Sequence, residues 1–84
     1  MTPSVLTKRQ LWVLQTMLEN AGTDDGELVY EHGVVYLGLE RIAPRTMFAL
    51  LRLCTISADS FSSYNVERYH INGTGKRFLR ESTK

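Results

Sequence analysis

The chain predicts an α+β fold of three helices with short antiparallel β-hairpins. Three observations predict it. A capped segment with helical periodicity follows Thr7, and two β-rich runs at 28–30 and 34–37 flank His32-Gly33. The stretch Tyr69-His70-Ile71-Asn72-Gly73-Thr74-Gly75-Lys76-Arg77-Phe78-Leu79 then reads as a strand passing through an Asn cap into a short basic helix. Alternation marks the strands, and a period near 3.6 marks the helices.

Thr7 opens the first helix. Gln10 stands at capping-box spacing from it, and Leu6 and Leu11 sit at the spacing of a hydrophobic staple. Leu11, Leu14, Met17, Leu18 and Ala21 fall on one face, and Gly22 supplies a left-handed stop. Trp12 lies beside this stripe, where it either completes the core or stands exposed at a contact surface. Thr23-Asp24-Asp25-Gly26 is turn chemistry. The glycine in the short polar gap between the next two runs predicts a hairpin with His32 in its turn. Gly38 either bulges the second strand or ends it.

Ile42-Ala43-Pro44 leads into a second helix over 44–54, since Pro suits a first turn where its missing N–H costs nothing. Met47, Leu50, Leu51 and Cys54 occupy i, i+3, i+4 and i+7, a core face on which Cys54 is expected to be buried. Arg45, Phe48, Ala49 and Arg52 fall on the other side, with Arg41 just upstream. Thr55-Ile56-Ser57 is expected as a short strand, and 57–69 as a hairpin with a Ser-rich tip. Phe61 at that tip either folds back or marks a protein contact. Val66, Arg68 and His70 should point one way along the returning strand, and Glu67, Tyr69 and Ile71 the other. Asn72 caps the closing helix, which docks Phe78 and Leu79 on the core and leaves Lys76, Arg77 and Arg80 solvated. Residues 81–84 are expected to fray. The chain shows no internal repeat or linker and is read as a single domain, 1–84, with an ordered core of about 5–81.

Eighty-four residues lie near the lower end of what folds unaided. Hydrophobic content of 43% with 23% charged residues describes an ordinary globule, not a disordered chain. No apolar run approaches the ~18 residues that span a bilayer. The N-terminus lacks the pattern of a secretory leader, and a single cysteine fits a reducing compartment, so a cytoplasmic location is expected. Net charge is +1, but it is unevenly spread: residues 1–40 sum to −4 and residues 41–80 to +5. Local field steers a polyanion, so the second half of the chain is the part that would meet phosphate.

Chemistry beyond this is scarce. His32, His70 and Cys54 lack the paired spacing of a zinc site, and no metal or cofactor is expected. Asp24 and Asp25 lie in a turn without apolar enclosure, and no nucleophile–base pair stands out, so no catalytic residue is assigned and no enzyme is expected. Asn72-Gly73-Thr74-Gly75 lacks the spacing of a phosphate loop and reads as a capped helix start.

The ending Tyr69-His70-Ile71-Asn72-x-x-Gly75-Lys76-x-x-Leu79 resembles that of many winged-helix regulators, where a similar segment closes the wing and begins the last helix. Arg41-Ile42-Ala43-Pro44-Arg45-Thr46, followed by Leu50 and Leu51, is similar to their lead-in to the recognition helix. In particular it resembles small regulators and uncharacterised proteins encoded by bacteriophages and prophages, and the likeness covers about residues 5–81. The chain departs from that pattern in placing a β-hairpin where such folds have a helix before the recognition helix, which bears on the helix-turn-helix geometry.

The resemblance implies a winged-helix-like DNA-binding protein acting in transcription regulation. It would put Arg45, Thr46, Ala49 and Arg52 on a major-groove face, with Arg41 beside them. Ser60, Ser62, Ser63 and Arg68 would form the wing, and Lys76 and Arg77 would hold phosphates. Arginine suits guanine and phosphate alike because its planar fork binds bidentately. Double-stranded DNA is the expected partner and a homodimer the expected unit. The rival expectation is a protein-interaction module of the same fold that binds a host factor without DNA, in keeping with the acidic first half. A structural virion component that pairs through a hairpin edge is a third expectation.

Overall fold

Side-chain chemistry sets the ends of the first helix. In the computed structural model, which describes residues 6–58 and 66–82, α1 spans Lys8–Glu19. Thr7 Oγ1 accepts the Gln10 N–H at 3.1 Å, and Gln10 Oε1 accepts the Thr7 N–H at 3.0 Å, completing the expected capping box. Leu6 is buried under the cap and Leu11 packs partly against the core. The buried face is rotated from the expected stripe. Val13, Leu14 and Met17 are enclosed, Leu11 and Leu18 only flank the core, and Ala21 is exposed beyond the helix end. The cause is tertiary: α1 touches α2, α3 and β5 together, so its covered arc is broader than a single-sided stripe.

Gly22 takes φ 89°, the left-handed stop expected of it, and a single 3-10 turn at Asp24–Gly26 comes next. Strands β1 (Leu28–Glu31) and β2 (Val34–Leu37) then pair antiparallel. The turn between them has positive φ at both central residues, His32 (53°) and Gly33 (78°), as in a type I′ turn, whose twist matches that of the strands. Gly38, at φ 61°, ends β2 and turns the chain through Leu39 into β3 (Glu40–Ile42). The sequence pattern gives no sign of that third strand, which extends the hairpin into a meander.

After β3 come α2 (Pro44–Arg52), β4 (Ile56–Ala58), β5 (Val66–Ile71) and α3 (Gly73–Ser82). The five strands form one antiparallel sheet in the order β3-β2-β1-β5-β4. Leu28 lies in register with Leu37 on one side and Tyr69 on the other, Val35 with Ile42, and Ile71 with Ile56. Alternation therefore collects these side chains on one face, where they join Val13, Leu14, Met17, Met47, Leu50 and Leu79 of the helices in a single core cluster. The opposite face carries Val29, Val34, Tyr36, Arg41, Val66, Arg68 and His70, all outside that cluster. Along β5, Tyr69 and Ile71 are buried while His70 is exposed, the alternation expected.

The second helix stops two residues short of the expected end. Leu53 is its C-cap, the Cys54 N–H donates to Leu51 O at 2.9 Å, and the Thr55 N–H reaches Leu50 O at 3.1 Å. This is a Schellman closure, which places Cys54 at the left-handed position with φ 60°. The expectation of a buried Cys54 is corrected: the residue has left the helical stripe and is exposed.

Asn72 ties α3 to the end of α2 and to β4. Its Oδ1 caps α3 by accepting the Gly75 N–H at 2.9 Å, while its Nδ2 donates at 2.8 Å both to Cys54 O and to Ser57 Oγ. Gly75 is required there because a Cβ would collide with the Thr55 carbonyl and lie 2.7 Å from Ile71 Cγ1. The Tyr69 hydroxyl donates to Glu67 Oε1 at 2.6 Å. Burial, together with that bond to a carboxylate, pushes its pKa up to about 12. Among the described residues no helix is long and apolar enough to cross a membrane.

Candidate nucleic-acid interface

Of the described cationic positions, those on α2 form the most coherent surface. Pro44 at the first turn and the Schellman closure at Cys54 fix a nine-residue helix, about 13 Å long at 1.5 Å per residue. Met47 and Leu50 are wholly buried, and the opposite side exposes Arg45, Phe48 and Arg52. At 100° per residue these three and Ala49 share an arc of roughly 100°. Arg45 and Arg52 are two turns apart on it, about 10 Å along the axis. Ala49 is small and half-buried, so Phe48 supplies the bulk between the arginines. Phe48 keeps 46% of its surface exposed, and its ring meets Tyr30 of β1 edge-on at 6.0 Å and 65°. Thr46, expected on this face, is 9% exposed and turned toward the core edge, because one residue on from Arg45 is about 100° round the helix, which takes it past the arc.

Charge on this arc is uncompensated among the described residues. No carboxylate of theirs lies in ion-pair range of Arg45 or Arg52, whereas Arg9 pairs with Glu40 at 3.4 Å and Arg68 with Glu27 at 3.5 Å. Arg52 in the last turn also complements the helix dipole, so part of its effect is on α2 itself.

The other expected contacts are divided among separate surfaces. Arg41 and Arg68 lie on the open face of the sheet, away from the helices, in one cross-strand row with Tyr36 and Val29 between them. Lys76 and Arg77 are exposed on α3, with Lys76 at the seam between α1 and α3 beside Gln15 and Leu18. Ser60, Phe61, Ser62 and Ser63 of the expected wing lie outside the described residues. The expected contacts thus lie on three elements: Arg45 and Arg52 on α2, Arg41 and Arg68 on the open sheet face, and Lys76 and Arg77 on α3.

Comparison of the chain with family models, with curated proteins and with solved structures gives no match. The functional reading therefore rests on the geometry.

Phe48 faces outward on α2, as the sequence pattern placed it, and its edge-on contact with Tyr30 is the part that pattern does not show. A second feature also escapes the pattern: a groove of about 400 Å³ between α1 and the β2–β3 turn, lined by Trp12, Leu37, Leu39, Asp25 and Glu40. Leu39 is fully exposed at the turn, and Trp12 is 41% exposed with the Arg9 guanidinium 4.6 Å over its ring. Trp12 thus stands at a surface. Among the described residues no three His, Cys, Asp or Glu side chains group as a metal site would require.

Proposed function

We propose that this chain binds double-stranded DNA through the outer face of α2 and acts as a small winged-helix-like regulator of the phage or prophage kind, without a catalytic step. The observation that carries the reading is that Arg45 and Arg52 share one exposed helical arc and have no ion-pair partner among the described residues. Two such guanidinium groups favour a polyanion, and a helix fits the major groove, about 12 Å wide. The topology lends support, since β4 comes directly after α2 and pairs with β5, which pairs in turn with β1. A second copy would double the phosphate contacts, and a homodimer is part of the proposal.

The test is binding to random-sequence duplex DNA at about 50 and about 200 mM salt, where engagement of several phosphates weakens binding severalfold or more. No binding at the lower salt would overturn the reading.

A second reading is favoured by the Trp12–Leu39 groove. In it the chain is an interaction module for a host protein, and the exposed Trp12 and Leu39 that line the groove are its apolar contact. Trp12→Ala would then abolish partner capture and leave DNA binding untouched.

A further inference from the structure

We propose that Phe48 reads the 5-methyl group of thymine. The inference rests on α2 being the element that meets DNA, and it adds a sequence preference that the arginines alone do not supply. Phe48 stands on the same arc as Arg45 and Arg52, so any groove those arginines enter also receives the ring. The ring is held in place: Tyr30 backs it edge-on at a centroid distance of 6.0 Å, and 46% of its surface remains outside that contact. Ala49 beside it is small enough to let the helix approach closely.

In the major groove the base edges offer donors and acceptors that an aromatic edge cannot pair with, and thymine alone adds a methyl group. A preoriented apolar ring between two cationic forks is complementary to that methyl and to little else in the groove. Guanine and phosphate are left to the guanidinium groups.

The experiment uses the full chain and two short A·T-rich duplexes, identical except that uracil replaces every thymine in one. The exchange removes methyl groups and leaves the hydrogen-bonding pattern intact. The wild type should bind the thymine duplex about fourfold more tightly, the equivalent of roughly 0.8 kcal/mol for one buried methyl. Phe48→Ala should bind both duplexes equally, and Phe48→Leu, which keeps an apolar group on Tyr30, should retain part of the preference. Equal affinity of the wild type for both duplexes overturns the role of Phe48 and leaves the DNA reading standing. So does a Phe48→Ala protein that keeps the full preference. Failure of the wild type to bind either duplex overturns the DNA reading and this inference together.

Discussion

Asn72 holds three parts of the chain with one amide: the first turn of α3, the carbonyl of Cys54 just past α2 and the hydroxyl of Ser57 in β4. Asn72→Ala removes a cap worth about 1 kcal/mol and leaves the Cys54 carbonyl and Ser57 hydroxyl without this donor. Denaturant unfolding should show a loss of about 2 kcal/mol. Asn72→Asp keeps the capping oxygen but not the donated bonds, and should fall between alanine and wild type. The cap was legible in the sequence because Asn ahead of a small, polar first turn is local chemistry. The two donated bonds were not, because they depend on where α2 stops. Tyr69 gives a pH prediction at the same scale. The unfolded chain releases this phenolic proton near the ordinary value of 10.0, the folded chain near 12. Between these values the folded state holds more protons, so the contribution to stability is complete below pH 10 and is lost as pH rises toward 12. The difference in phenolate absorbance between wild type and Tyr69→Phe should report the raised titration, and Glu67→Gln should lower it.

At the scale of elements, the termination of α2 is where local patterning failed most plainly. Leu53 and Cys54 continue the apolar sequence, and the residue at the left-handed position is a cysteine instead of the usual glycine. Leu50 and Leu51 nevertheless supply the carbonyls for a full Schellman closure. An L-residue held at φ 60° is disfavoured by its Cβ. Cys54→Gly should therefore stabilise the protein by about 0.5–1 kcal/mol, net of the entropy glycine adds to the unfolded chain. A loss of stability in thermal or denaturant unfolding would show that the thiol contributes something the backbone geometry does not. Strand β3 was illegible for another reason. Glu40-Arg41-Ile42 is too short to show a period, and it exists as a strand because β2 offers it an edge. By contrast, the capping box of α1 and the β1–β2 turn were readable because each is specified by residues in direct sequence contact.

At the scale of the molecule, the split in charge between the two halves of the chain was real but coarse. Sequence arithmetic could separate an acidic first half from a basic second half. It could not place Arg41 and Arg68 on the open side of the sheet, away from α2, since the facing of a strand residue relative to a packed helix is a tertiary fact. The fold concentrates the candidate DNA contact on one short helix, with Lys76 and Arg77 as separate cations on α3. The central claim is that Arg45 and Arg52 engage phosphate or base edges together. It is tested most directly by the salt dependence of duplex binding for wild type and for the double variant Arg45→Ala, Arg52→Ala. If both arginines neutralise phosphates, the slope of log affinity against log salt should become shallower by about 1.8 per protein chain. An unchanged slope and affinity in a folded double variant would contradict the account.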